Sequence, residues 1–230
     1  MSGATRSSQG DATRRGASAA QPEQDGAPVA PLAEADDCSR RTAVILCAAR
    51  LFRRNGYERT TVRELAREVG LGSGSLFHHF RSKEEILVAV MANGIQSVID
   101  AGRAVMRATD DPAQRLAGLF RLHMASLISG VGGDAMHAMI YEWRSLSPAA
   151  QARIEVLSDA YEQLWHTAID DAVACGLVQG DAAIIRKQVL GGMNFTVRWW
   201  RPDGRLPADA LIEAMLQAAL PGLAQAGRCT

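Results

Sequence analysis

The sequence predicts an all-α protein of about nine helices, and three observations predict it. Apolar residues recur at i, i+3, i+4 and i+7 along most of the chain, and no alternating strand pattern survives a count. Helix-start signals repeat: Thr61 three before Glu64, Ser82 three before Glu85, Asp111-Pro112, Ser147-Pro148 and Asp181. Helix-stop signals answer them at Asn55-Gly56, Gly70, Gly176 and Pro221-Gly222. A chain of 230 residues, 47% of them hydrophobic, buries one or two substantial cores without a disulfide or metal staple.

Taken in order, residues 1–38 are rich in Ser, Gly, Ala, Gln, Pro and Asp and nearly lack large apolar side chains. They cannot offset their own ordering entropy and read as a disordered tail. A first helix, Arg40 to Arg54, places Ile45, Ala48, Ala49 and Phe52 on one face, and Asn55-Gly56 stops it. The Thr61–Glu64 capping box opens a helix at Val62 that turns Val62, Leu65, Ala66 and Val69 inward, until Gly70 and Gly72 break it. A second short helix, about Ser73 to Phe80, buries Leu76 and Phe80 and exposes Ser73, Ser75 and His78. Two short helices about a tight glycine turn are the helix-turn-helix geometry, whose second helix enters the DNA major groove. A longer helix follows from Lys83 to about Arg107, carrying Ile86, Leu87, Val90, Ile95, Val98 and Ile99 as a connector between a module at 39–82 and the remainder at 83–230.

Beyond it, Asp111-Pro112 starts a helix to about Ser129, Gly130 to Gly133 reads as a loop, and Asp134 to Leu146 as a short helix. Ser147-Pro148 opens a long helix to Ala174, and Asp181 caps another to about Trp200. Pro202-Asp203-Gly204 is a turn, and Pro207 begins a last helix ended by Pro221-Gly222.

The net charge of zero hides an asymmetry: residues 39–91 hold ten Arg/Lys against five acids, so the rest of the chain is acidic by the same margin. A basic module on an acidic remainder is the footprint expected when one part touches phosphates. Cys38, Cys47, Cys175 and Cys229 show no C-x-x-C spacing and suggest reduced thiols. No apolar run reaches membrane-spanning length and no signal-type apolar stretch opens the chain, so the reading is cytoplasmic.

The run Leu51-Phe52, Asn55-Gly56-Tyr57 and Thr60-Thr61-Val62-Arg63-Glu64-Leu65-Ala66, followed by Gly70-Leu71-Gly72-Ser73-Gly74-Ser75-Leu76-Phe77-His78-His79-Phe80-Arg81-Ser82-Lys83-Glu84-Glu85-Ile86-Leu87, closely resembles the DNA-binding domain of TetR-family transcriptional regulators. Two positions depart from it: Gly72 stands where the family often has Ser, and Phe77 where it often has Tyr. The resemblance implies a homodimeric repressor on a palindromic double-stranded operator, with half-site centres one helical turn, ~34 Å, or a multiple apart. It further implies a C-terminal helical domain for ligand binding and dimerisation, in which the last two long helices pair with their copies. DNA contacts are expected from Thr61, Ser73, Ser75, Phe77, His78, His79 and Lys83. Ser73 and Ser75 are short enough to let their helix lie deep in the groove, and Lys83 opens a helix whose free N–H groups share a phosphate with its ammonium.

In the C-terminal part the informative stretch is Gly191-Gly192-Met193-Asn194-Phe195-Thr196-Val197-Arg198-Trp199-Trp200-Arg201: two glycines permit a close helix crossing, and a Trp pair between two Arg combines apolar area with anion-binding capacity. Tyr141, Trp143, Arg144, Tyr161 and Trp165 add aromatic and cationic groups on neighbouring helices. This part looks similar, more loosely, to the TetR subgroup that senses acyl-CoA thioesters. That similarity implies an acyl-CoA effector whose nucleotide end sits near Arg198, Arg201 or Arg144, with Met136, Met139, Met193, Trp165 and Trp200 lining an acyl tunnel beside Trp143; methionine suits adjustable apolar pockets. Two alternatives stay open: a repressor answering a different hydrophobic ligand, and a metal or metabolite binder in which DNA binding is not the main role. Glu162 and His166, four apart on one helix, can face one ion, although solvated helix residues are far commoner and no metal is assigned. No nucleophile, oxyanion loop or H-E-x-x-H motif is present, so the sequence does not read as an enzyme.

Overall fold

The computed structural model describes residues 32–128 and 130–226. Its elements are α1 (Leu32–Asn55), α2 (Val62–Val69), α3 (Ser73–His79), α4 (Lys83–Ala108), α5 (Pro112–Ile128), α6 (Gly130–Tyr141), a 3-10 turn at Trp143–Ser145, α7 (Pro148–Ala174), α8 (Ala182–Trp199), α9 (Ala208–Ala219) and α10 (Pro221–Ala226), with no strand among the described residues. The expected all-α class of about nine helices holds, with ten among the described residues.

The capping logic operates as written. Thr61 Oγ1 accepts from the Glu64 N–H at 3.2 Å while the Glu64 carboxylate returns to the Thr61 N–H at 3.5 Å. Ser82, Ser147 and Asp181 each accept from the N–H three residues on. At Ser82 the box is displaced by one residue, because Glu85 reaches the Arg81 N–H at 2.8 Å. Gly70 ends α2 at φ +73, and Gly56 follows α1 at φ +82, the left-handed region glycine tolerates.

Four boundaries differ from expectation. α1 starts at Leu32, inside the segment read as tail, so the first helix is longer than Arg40 to Arg54; residues 1–31 of that tail lie outside the described residues, as does Cys229. Gly130 to Gly133 is not a loop but the first turn of α6, and α6 stops at Tyr141 rather than Leu146. Packing overrides the poor helix propensity of its glycines: a Cβ at Gly133 would lie 3.0 Å from the Leu127 carbonyl and 3.2 Å from Arg53 Nη1, so glycine lets α6 approach both. Pro221-Gly222 does not terminate the fold; Pro221 takes the first position of α10, where its missing N–H costs nothing.

α4 is the central pillar, touching α1, α5, α6 and α7. By length and composition it is apolar enough to cross a membrane, yet Ile86, Leu87, Val90, Met91, Ile95, Val98 and Ile99 are all buried inside the protein. Helix spacing there is set by glycine. A Cβ on Gly94 would fall inside 3.0 Å of Ala135 on α6, and one on Gly102 would meet Leu164 of α7 at 2.9 Å. The Gly191-Gly192 pair makes no such crossing among the described residues, having nothing within 4 Å of either added Cβ.

Candidate DNA interface and effector cavity

α1, α2 and α3 close a small core on Leu51, Phe52, Leu65, Ala66, Leu76 and Phe80. Burying Leu76 and Phe80 turns the opposite face of α3 outward, so Ser75, Phe77 and His78 are exposed, with Phe77 at 51%. The side chain of Ser73, also expected on this face, lies outside the described residues. Thr61 is exposed at the start of α2, and His79 is half-buried. Exposed Arg41, Arg59, Arg63, Arg67 and Arg81 belong to the same module. Lys83 has a second duty absent from the sequence reading. Its Nζ donates to the Tyr57 carbonyl at 2.9 Å and the Glu58 carbonyl at 3.3 Å, and lies 4.1 Å from the Tyr57 ring centroid. It therefore locks the α1–α2 connection onto the start of α4.

α6 and the segment after it are bonded to this module at two points: Arg53 pairs with Asp134 of α6 at 2.9 Å, and Glu142 Oε1 accepts from the Tyr57 N–H at 3.1 Å. Within the remainder, Glu84 at the start of α4 accepts from the Ser147 N–H at 2.6 Å. That last bond holds the Glu84 carboxyl below the usual carboxylate range. Both Asp134 and Glu142 belong to the segment that leads from α6 into the 3-10 turn.

On its other side α6 lines a cavity. A space of ≈ 200 Å³ lies between Ile95 and Val98 of α4, His123 of α5, Met136 and Met139 of α6, Ser158, Tyr161 and Glu162 of α7, and Leu190 and Asn194 of α8. His123 is buried and bonded at both nitrogens: Nδ1 is 3.0 Å from Tyr161 Oη and Nε2 is 3.0 Å from Asn194 Oδ1. Burial pushes its pKa down to about 4, so the ring is neutral. An amide oxygen only accepts, so Nε2 carries the hydrogen and Nδ1 accepts from the Tyr161 hydroxyl, itself pushed up to about 12 by burial.

Of the expected effector residues, Met136 and Met139 line this cavity, and the others are dispersed. Met193 borders an open groove of ≈ 680 Å³ between the α7–α8 turn, α8, α9 and α10. Trp200 and Arg201 border a cleft of ≈ 120 Å³ with Arg53, Gly133 and His137. The Trp200 indole N–H donates to the Leu206 carbonyl at 3.0 Å. Trp165 is wholly buried, edge-on to His123. Trp143 is half-buried in the 3-10 turn, while Arg144 and Arg198 are exposed. Glu162 and His166 do not converge: Glu162 pairs with Arg186 at 3.1 Å and His166 with Asp170 at 2.7 Å. The sequence reading names Tyr161, Glu162 and Asn194 but does not bring them together with His123, which shares the apolar stripe Leu116, Leu119, Phe120, Met124 and Leu127. A polar residue on such a stripe is the signal that would have found it.

A third surface lies along α8. Ile184, Phe195 and Trp199 are 58%, 59% and 49% exposed, and the open Gly191 and Gly192 stand between them along the helix.

Comparison with known proteins follows these divisions. Residues 45–90 match the family of bacterial regulatory proteins, tetR family, and residues 109–223 match the tetracyclin repressor-like C-terminal domain. The transcriptional repressor KstR2 of Mycobacterium tuberculosis (strain ATCC 25618 / H37Rv) is 29% identical over 82% of this chain and 95% of its own length. Among solved structures, that of the superantigen PfiT is 42% identical with a TM-score of 0.67, over 78% of this chain and 95% of that one. AibR in complex with isovaleryl coenzyme A and operator DNA is 25% identical with a TM-score of 0.73, over 79% of this chain and 98% of that one. With both its reader module and its helical C-terminal half matched, the chain belongs to the TetR family of transcriptional regulators.

Proposed function

We propose that the protein is a homodimeric repressor that binds a palindromic operator through α3 and is released by an acyl-CoA thioester. The observation that carries this reading is the physical continuity of α6, which lines the cavity through Met136 and Met139 and holds the reader module through Asp134, with Glu142 just beyond its end. A ligand that alters the seat of α6 thereby alters the seat of the reader. It shifts DNA occupancy only by the difference of its affinities for the two arrangements.

In this reading Ser75, His78 and His79 face the groove from a helix that Ser73 opens, with Thr61, Phe77 and Lys83 at its phosphate edges. The α8 stripe of Ile184, Phe195 and Trp199 pairs with its copy, the glycines admitting close approach. The thioester class is supported by AibR, whose structure holds isovaleryl coenzyme A, and by the cleft where Arg53 and Arg201 stand beside His137, whose buried Nδ1 has no hydrogen-bond partner among the described residues. The acyl group occupies the cavity, and the nucleotide phosphates meet Arg201.

The test is a binding titration of the full chain on palindromic DNA from upstream of its own and neighbouring genes, across a salt series, with thioesters and matching free acids added. Salt-sensitive, palindrome-selective binding relieved by a thioester is expected. Binding without selectivity overturns the repressor reading, and relief by none of the thioesters overturns the effector class.

A further inference from the structure

We infer that the buried end of the effector is a short, uncharged group carrying an oxygen that accepts a hydrogen bond from the Asn194 amide, rather than a plain hydrocarbon tail. This deepens the effector reading above and rests on it for the position of the ligand.

Size sets the first bound. An apolar cavity of about 150 Å³ holds a benzene. The space here, ≈ 200 Å³ and open on one side, seats a ring or short branch with a few further atoms against its wall.

The lining sets the second. Five of the ten lining residues are apolar (Ile95, Val98, Met136, Met139, Leu190), and the other five, His123, Ser158, Tyr161, Glu162 and Asn194, are polar. His123 and Tyr161 bond each other and Glu162 pairs with Arg186, so a hydrocarbon end would leave the Asn194 amide N–H and the Ser158 hydroxyl facing it without a bond, at a cost for each. The hydrogen-bond chain explains what they present. Tyr161 donates to His123, and His123 donates to Asn194 Oδ1, so the chain fixes the Asn194 amide and leaves its Nδ2 hydrogens unassigned. Those hydrogens seek an acceptor, and the hydroxyl of Ser158, which has no described partner, stands in the same lining.

Charge sets the third. The lining contains no Lys or Arg, and its histidine is neutral; its single carboxyl side chain is Glu162, already paired with Arg186 at 3.1 Å. A ligand carboxylate placed here would meet like charge and no free cation, whereas a ketone, ester or amide oxygen meets a fixed donor.

Two matched pairs of probes test this by thermal shift and calorimetry on the full chain: acetoacetyl-CoA against butyryl-CoA, and cyclohexanone against toluene. The oxygenated member of each pair is expected to bind on the order of tenfold more tightly, as one well-placed hydrogen bond provides. Asn194→Leu should erase the preference. Ser158→Ala, which leaves the His123 chain intact, should reduce it, and serves if Asn194→Leu does not fold. If acetoacetyl-CoA and butyryl-CoA bind equally, the inference falls and the thioester reading stands. If neither thioester binds but cyclohexanone is preferred and Asn194→Leu abolishes that preference, the inference stands and the thioester reading falls. No preference for cyclohexanone over toluene, together with no preference between thioesters, overturns the inference outright.

Discussion

Glu142→Ala tests whether the segment after α6 holds the reader. The Glu142 carboxylate accepts from the Tyr57 N–H at 3.1 Å and from the Ser145 hydroxyl at 3.3 Å, and Tyr57 is only 7% exposed. Removing it orphans a buried backbone donor, which costs about 1–3 kcal/mol. In a chain of this size each kcal/mol lowers the melting temperature by about 2–4 °C. Glu142→Gln keeps a carbonyl acceptor and should lose less than about 1 kcal/mol. Because the bond joins the reader to the effector-binding half, Glu142→Ala should also weaken operator affinity and narrow the difference between affinities measured with and without effector. Typical couplings of that kind are about 1–3 kcal/mol. Asp134→Ala breaks the neighbouring bond to Arg53, and the double variant should show non-additive loss of operator affinity if both contacts hold one element. Fluorescence-anisotropy titrations at fixed salt, alongside thermal melts, read all of these. An unchanged melt and unchanged operator affinity in Glu142→Ala would refute the reasoning, as would equal damage from Glu142→Gln.

Three further outcomes follow from particular contacts. Gly94→Ala places a methyl group inside 3.0 Å of Ala135 Cβ and should cost about 1–3 kcal/mol by overpacking the α4–α6 crossing; Ala135→Gly added to it should recover much of the melting temperature. Lys83→Met loses two carbonyl bonds and the contact with the Tyr57 ring, so the melt should fall even without DNA, and the salt slope of operator binding should drop by about one if the ammonium also meets a phosphate. His123 has a folded pKa of about 4 against 6.5 unfolded, so between those values the unfolded state binds more protons. Its contribution is complete above pH 6.5 and is lost as pH falls toward 4, on the order of 3 kcal/mol in all. Denaturant melts from pH 7.5 down to pH 4.5 should show that slope in the wild type and not in His123→Gln.

The unequal legibility of the two halves has a physical cause. Reader geometry is set by bonds between residues three or four apart, Thr61 to Glu64, Ser82 to Glu85 and Phe80 to Leu76, together with the left-handed Gly70, and such contacts are written in a single stretch of sequence. The cavity is set by residues that meet across long separations. His123, Tyr161 and Asn194 come from α5, α7 and α8, and no local spacing announces that the three will share one hydrogen-bond chain. Residue type alone does not place them: Trp165 is buried against His123 behind the cavity wall, whereas Met193 borders the groove by α9 and Trp200 the cleft by Arg53. The same holds for α6, whose glycines read locally as a loop and become a helix because Gly133 fits between Leu127 and Arg53. α6 carries Met136 and Met139 on the same helix as Asp134, which pairs with Arg53 of the reader. The contacts that local sequence hides are therefore those between the two halves, Arg53 with Asp134 and Tyr57 with Glu142, because they join residues more than eighty positions apart.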